Sequence, residues 1–449
     1  MIQERESIMN SIKDNLHNVK FDVNLNRFNL PLVSVVIINY NYGCFLREAV
    51  NSVFSQSYPN IECIIVDYAS DDDSADIITD LSRQYPSVIV IRRADNAGMN
   101  IAAIEGFETS SGEYVVFLDA DDVLLSAFIE THIFVHMSLR IPVGVTSADM
   151  VQAVGARMVL GTYLSTTSEF MRSDKGKKFG LFRRIDENAP EVWPLHSPDA
   201  AIESQIRFVD PLDANWVWAP MSANCFRRDG LDLFMDKRRL CDLRASLDCY
   251  LLTGISVLTG SVLIDRALAI YRIHGHNIFT RHPSLNGFVN YERGGAYDET
   301  KRCREVLIDH LIANAKFFLS KVHYPEYYMH ALEALNNAWP NHYPTTGARR
   351  ESYLAKKVVA EFDTLAEVIG IEEQCAWLRR LGFSRRVAWL IYITKTLKQN
   401  SRLRRQLTAR TSTVAEANAI VNGNDAPNWP QTRVRAGNCR GRNRQDHGS

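Results

Sequence analysis

No Cys-x-x-Cys pair occurs among the eight cysteines of this 449-residue chain. They are scattered at positions 44, 63, 225, 241, 249, 303, 375 and 439, which argues against a zinc ribbon and a thioredoxin-type motif. Several fall in expected strands or helices, as buried thiols of a reducing compartment would. Net charge is also lacking: at −1, no global field selects a nucleic-acid partner, and none is expected. Long apolar runs are missing. The longest, 249–264, is interrupted by Thr253, Gly254, Ser256, Thr259, Gly260 and Ser261, so no transmembrane helix is expected. The opening Met1-Ile2-Gln3-Glu4-Arg5-Glu6 has no apolar core, so no secretory signal is expected and the location reads as cytoplasmic. No internal repeat is visible. What remains, 46% hydrophobic and 23% charged, is the balance of a soluble globular protein long enough for two domains or more.

The most informative feature present is a run of carboxylates, Asp119-Ala120-Asp121-Asp122, that ends the apolar stretch Tyr114–Leu118. The stretch reads as a buried strand of a parallel sheet. Carboxylates at its C-terminal end lie where open α/β sheets bind ligands. Crowded carboxylates raise one another's pKa, and a divalent cation such as Mg²⁺ or Mn²⁺ relieves the repulsion. The alternative is an acidic turn capping a helix that starts near Val123.

Upstream, strands and helices alternate. Apolar runs predict strands at Val33–Asn39, Ile61–Asp67 and Val88–Arg92. Helical stripes predict helices at Phe45–Gln56, Ser74–Tyr85 and about 100–110, with Leu46, Val50, Val53, Ile77, Ile78 and Leu81 inward. This spacing predicts an α/β fold, a mostly parallel sheet with helices on both faces. A further strand is expected at Val143–Thr146. The first strand-to-helix turn, Asn39-Tyr40-Asn41-Tyr42-Gly43, is neither GxGxxG nor GxxxxGK[ST], which argues against a dinucleotide dehydrogenase and a P-loop NTPase.

Six pieces in order resemble the family 2 glycosyltransferases, which have the GT-A nucleotide-sugar fold. They are the strand Val33–Asn41, the segment Ser52–Glu62 around Gln56, Tyr58 and Asn60, and Ile65-Val66-Asp67-Tyr68-Ala69-Ser70. Asn96-Ala97-Gly98, Gly112-Glu113-Tyr114 and the DXD-like Asp119-Ala120-Asp121 complete the set. The resemblance implies an inverting, metal-dependent transferase. It would move one sugar from a nucleoside-diphosphate sugar to an acceptor hydroxyl, in polysaccharide or glycoconjugate synthesis. It implies Tyr40, Asp67 and Asp119 as nucleotide-sugar contacts, with Asp121 as direct metal ligand. The metal, Mn²⁺ or Mg²⁺, would assist departure of the diphosphate.

Farther on, Ala219–Arg228 resembles the family's acceptor segment. Leu247-Asp248-Cys249-Tyr250 resembles its base-bearing helix, with Asp248 as general base and Asp242 as competitor. Tyr271-Arg272-Ile273-His274-Gly275-His276-Asn277 resembles the YRxHxxN segment, implying Arg272 on phosphate and His274 on the metal. No Arg-Trp dipeptide occurs, so the processive QxxRW signature is absent and a non-processive hexosyl- or related transferase is expected. Three positions depart from the family pattern: Tyr68, Ile104 and Leu247. They keep open an inactive nucleotide-sugar-binding or scaffold protein. A nucleotidyltransferase is the other alternative, though no Gly-rich basic loop follows the first strand. The aromatic region 150–230, with Trp193, His196, Trp216 and Trp218, either shapes an acceptor pocket or fills a core.

The expected organisation is a polar arm at 1–30, the GT-A domain at 31–290, a helical region at 300–411, and a disordered tail at 418–449. Stripes at Leu307/Leu311/Phe318, Tyr328/Leu332/Leu335 and Leu354/Val358/Phe362 predict the helical layer. Between Glu373 and Glu416 no acidic residue occurs, and 379–410 holds ten Lys or Arg around Val387-Ala388-Trp389-Leu390-Ile391-Tyr392-Ile393. That pattern fits a helix lying on an anionic membrane surface, where lipid-linked acceptors reside. A helix packed on the catalytic domain or a protein-partner surface are the alternatives.

Overall fold

The computed structural model describes residues 30–162, 165–177, 180–182, 201–241, 243, 246–277, 293–322, 324–338 and 352–394. The readings for the N-terminal arm, Asp242, Trp193, His196 and the tail at 418–449 lie outside these residues.

The first half alternates strand and helix as its apolar runs require: β1 (Val33–Asn39), α1 (Gly43–Phe54), β2 (Ile61–Tyr68), α2 (Ser74–Gln84), β3 (Ile89–Arg93), α3 (Met99–Thr109) and β4 (Tyr114–Asp119). These four strands pair in parallel in the order β3-β2-β1-β4. All seven residues of β1 are buried, because the strand is covered on both faces. One face presents Val33, Val35, Ile37, Ile65 and Leu118 to Leu46, Val50 and Val53 of α1 and to Ile78 and Leu81 of α2. On the other face α3 comes so close that a Cβ on Gly106 would stand 2.3 Å from a methyl of Val36.

After β4 the chain makes β5 (Val123–Leu124), α4 (Phe128–Ser138), β6 (Val145–Val154) and β7 (Arg157–Leu160). The helix expected near Val123 therefore starts at Phe128. Val123 is instead held in the sheet opposite Ile270 of a later strand, so the acidic run does not cap a helix. Next come α5 (Ser165–Arg172), β8 (Ile206–Val209), β9 (Asn224–Arg227), α6 (Arg228–Leu231), α7 (Lys237–Leu240), α8 (Leu247–Thr259) and β10 (Ser261–Ile273). Strand β9 runs antiparallel to both β4 and β6, while β6 and β10 are parallel to each other. Among the described residues the sheet has ten strands, ordered β3-β2-β1-β4-β9-β6-β10-β5, with β7 beside β6 and β8 beside β10. The fold is α/β: the parallel half of its sheet lies on the β1 side and the mixed half beyond β4.

A helical region follows: α9 (Arg293–Ala313), α10 (Ala315–Leu319), α11 (Pro325–Asn337), α12 (Tyr353–Ala360), α13 (Phe362–Ile369) and α14 (Ile371–Arg380). The expected stripes are its core, since Leu307, Leu311, Phe318, Leu332, Leu335 and Leu354 are all buried. Residues up to Phe383 form one compact unit, and a second begins at Ser384 with a helix over 385–394. No described helix is long and apolar enough to cross a membrane.

Candidate active site

Parallel strands end together, so β1, β2 and β4 deliver their C-terminal residues to one edge. Register pairs Asn39 with Asp67 and Ile38 with Asp119. Asp67 is buried, and its Oδ1 accepts from Asn39 Nδ2 at 2.7 Å and from Ser70 Oγ at 2.5 Å. Asn39 Nδ2 also donates to Ser74 Oγ at 2.9 Å, at the start of α2. The following loops are tied together: Asn41 N donates to Ser70 Oγ and Asp71 N to Asn41 Oδ1, both at 2.9 Å. Asn41 and Ala69 sit at φ 57° and 67°, left-handed values that side-chain-bearing residues rarely adopt. These loops hold Tyr40 and Tyr68 as a stacked pair, centroids 5.0 Å apart and planes 19° apart. Burial raises the Tyr68 phenol's pKa, and nearby Asp119 adds to the shift.

The turn after β4 gathers Asp119, Asp121 and Asp122, whose nearest donor oxygens all lie within 4.8 Å of one another. Burial, then Asp121, then Asp248, push the Asp119 carboxyl up to about 8. Asp122 is raised well above the usual range by burial and then by Asp121 and Asp119. One oxygen of Asp122 accepts from Arg272 N at 3.2 Å, while Oδ2 is buried without a hydrogen-bond partner. Three clustered hard-oxygen donors, one with an unpaired buried oxygen and two that resist ionising together, fit a divalent cation.

The end of β10 closes the other side. His274 Nε2 lies 2.9 Å from Asp121 Oδ2. Asn277 Nδ2 reaches that same oxygen at 3.5 Å, donates to Arg272 O at 2.7 Å, and its Oδ1 accepts from His274 N at 2.9 Å. The imidazole packs against Tyr42 and Phe45, with centroids 5.2 and 4.9 Å away. Arg272 lies over the Phe45 ring at 5.1 Å. Its Nη2 stands 2.8 Å from Glu48 Oε2, an ion pair by distance but without hydrogen-bond alignment. Phe45, Glu48, Gly155, Arg272 and His274 border a cavity of about 640 Å³.

From the segment before β9, Ser222 Oγ accepts from Asp119 N at 3.1 Å, and its hydroxyl also bonds the Asp122 carboxylate. Asp248 stands in the first turn of α8 and accepts from Cys249 N at 2.7 Å. Part of its surface stays open, yet burial lifts it to about 6. Its charge is felt at Asp119, so the two carboxylates share one electrostatic site.

Of the residues singled out in the sequence, Asp119, Asp121, His274 and Arg272 come together around the turn after β4, with Asp248 in electrostatic reach. Tyr40 and Asp67 stand at the neighbouring strand ends. Asn39, Tyr42, Ser222, Asp122 and Asn277 are the additions. All five lie within segments quoted from the sequence, but only tertiary pairing reveals what Ser222 touches. Trp218 is a core residue, fully buried and donating to Ser261 Oγ at 2.8 Å, with Trp216 edge-on to it at 5.7 Å.

Carboxylates at the C-terminal ends of parallel strands stand where open α/β sheets bind ligands. Residues 34–137 match the model of glycosyl transferase family 2. An uncharacterized glycosyltransferase of Nostoc sp. (strain PCC 7120) is 47% identical over 91 residues, 20% of this chain and 28% of that protein. The putative teichuronic acid biosynthesis glycosyltransferase TuaG of Bacillus subtilis is 38% identical over 92 residues, 20% of this chain and 36% of its own. The chain thus spans under half the length of these curated relatives. The crystal structure of S. aureus TarS 1-349 in complex with UDP-GlcNAc aligns over 77% of this chain and 84% of that one. The two share 15% identity, with a TM-score of 0.42.

Proposed function

We propose that the chain is an inverting, metal-dependent glycosyltransferase that moves a single hexosyl or related unit from a nucleoside-diphosphate sugar to an acceptor hydroxyl. The carrying observation is the shared electrostatic site of Asp248, lifted to about 6, and the carboxylate cluster after β4. One carboxylate set suits a cation that meets diphosphate, and the other suits proton removal near neutrality.

Asp121 and His274, with Asp119 and Asp122 beside them, would hold Mn²⁺ or Mg²⁺, which supplies Lewis-acid stabilisation of the departing diphosphate. Tyr40 and Asp67 receive base and ribose, and Arg272 offsets phosphate charge. The acceptor oxygen attacks the anomeric carbon from the side opposite the leaving group. Its proton passes to an oxygen of Asp248 as the carbon–oxygen bond to phosphate breaks, and configuration inverts. The residues for this chemistry lie within 31–290. Polysaccharide or glycoconjugate synthesis at the cytoplasmic side of a membrane, on a saccharide or lipid-linked acceptor, is the setting we assign.

The test is nucleoside-diphosphate release from a panel of UDP-, GDP- and dTDP-sugars with Mn²⁺, for wild type and Asp248→Asn, with product stereochemistry read by NMR. Release from one donor class, dependent on Asp248 and with inverted product, is expected. A retained configuration, or equal release by the variant, would overturn the mechanism.

A further inference from the structure

The basic stretch 379–410 begins inside the first unit and continues into the second. Arg380 ends α14 inside the first unit, 3.3 Å from Glu333 and 3.6 Å from Glu373, so its charge is spent within the fold. From Ser384 onward the pattern changes. Arg385 and Arg386 are exposed, and so are three apolar side chains: Val387 at 41%, Trp389 at 60% and Leu390 at 53%. At about 100° per residue, Trp389, Leu390 and Val387 fall on one arc of roughly 160°, with Arg386 inside it and Arg385 at its edge. Ala388, the one fully buried residue of the helix, lies outside that arc. Half-buried Ile393 falls within it.

We propose that helix 385–394 is a docking surface for an anionic lipid bilayer. Large apolar side chains are seldom left in water together unless a partner covers them. A protein groove takes a narrow i, i+3, i+7 stripe, whereas this apolar arc is wide and carries arginines at and within it. That is the pattern of a helix lying in the plane of a membrane interface. Tryptophan seats at headgroup depth and arginine stems run along the apolar face toward phosphate. Charge selects the occupant. The sequence continues with Lys395, Lys398, Arg402, Arg404, Arg405 and Arg410 and has no acidic residue before Glu416, so the complementary surface is negative. With no described helix able to cross a bilayer, the contact is peripheral.

This surface does not depend on the transfer chemistry and is tested apart from it. Full-length protein is sedimented with vesicles of phosphatidylcholine alone and of phosphatidylcholine with about one-third phosphatidylglycerol. Wild type should bind only the anionic vesicles and lose most binding in high salt. Trp389→Ser/Leu390→Ser, which keeps every charge, should lose at least about tenfold in affinity with unchanged circular dichroism. Arg385→Glu/Arg386→Glu should lose anionic selectivity. Failure of wild type to bind anionic vesicles, or equal binding by the Trp389/Leu390 variant, would overturn the proposal. The second outcome would assign the attraction to basic charge alone.

Discussion

Asp248→Asn should stabilise the protein while it abolishes transfer. Burial lifts this carboxyl from its ordinary value of 3.8 to about 6, so holding it ionised costs free energy. A shift of about two units at about 1.4 kcal/mol each amounts to about 3 kcal/mol, an upper bound because part of the side chain still meets solvent. For a carboxyl whose folded pKa is raised, the folded state holds the proton more tightly. Its contribution is therefore fully present below about pH 4 and is lost as pH rises through about 6. Asparagine keeps the shape and can still accept the Cys249 N–H, but never carries the charge. The variant should match wild type in urea unfolding at pH 4 and exceed it by up to about 3 kcal/mol at pH 8. In the same variant kcat/KM should drop by about 10²–10⁴, the usual share of a general base. Wild-type kcat/KM should fall about tenfold per pH unit below about 6. A variant less stable than wild type at pH 8, or a difference that does not change with pH, would refute the desolvated-base reasoning.

Two other perturbations report on the site and its scaffold. Mn²⁺ at about a hundred times its Kd should stabilise wild type by about 2.7 kcal/mol, a gain that Asp121→Asn should largely lose in a thermal-shift titration. Gly106→Ala puts a methyl 2.3 Å from Val36, so it should cost about 1–3 kcal/mol in denaturant unfolding.

The parallel half of the sheet was legible because strands covered on both faces are written as unbroken apolar runs. β1 matched its expected bounds, and β2 and β4 ended one residue later. The carboxylates after β4 were legible for the same reason, since a strand end is a fixed place in a parallel sheet. The mixed half was not. Strand β9 enters between β4 and β6 and pairs with β4 from more than a hundred residues away in the chain, a pairing no local pattern encodes. The apolar run 249–264 hid a junction: it is the body of α8 joined to β10 at Gly260, where φ is 70°. The alternative of a helix start near Val123 stays open in the sequence because two apolar residues after an acidic run have no period; its place opposite Ile270 decides the matter. Ser222 lies in the quoted segment 219–228 but carries no signal of its own, because its role lies only in reaching Asp119 and Asp122 from the turn before β9.

The most direct measurement is calorimetric binding of UDP, GDP and dTDP, with and without Mn²⁺, to wild type and Asp121→Ala. The placement of Asp121 between Asp119, Asp122 and His274 predicts metal-dependent binding of one nucleotide class, lost in the variant. Absence of binding by any nucleotide under either condition would contradict the catalytic reading and leave a chain that keeps the fold without its chemistry.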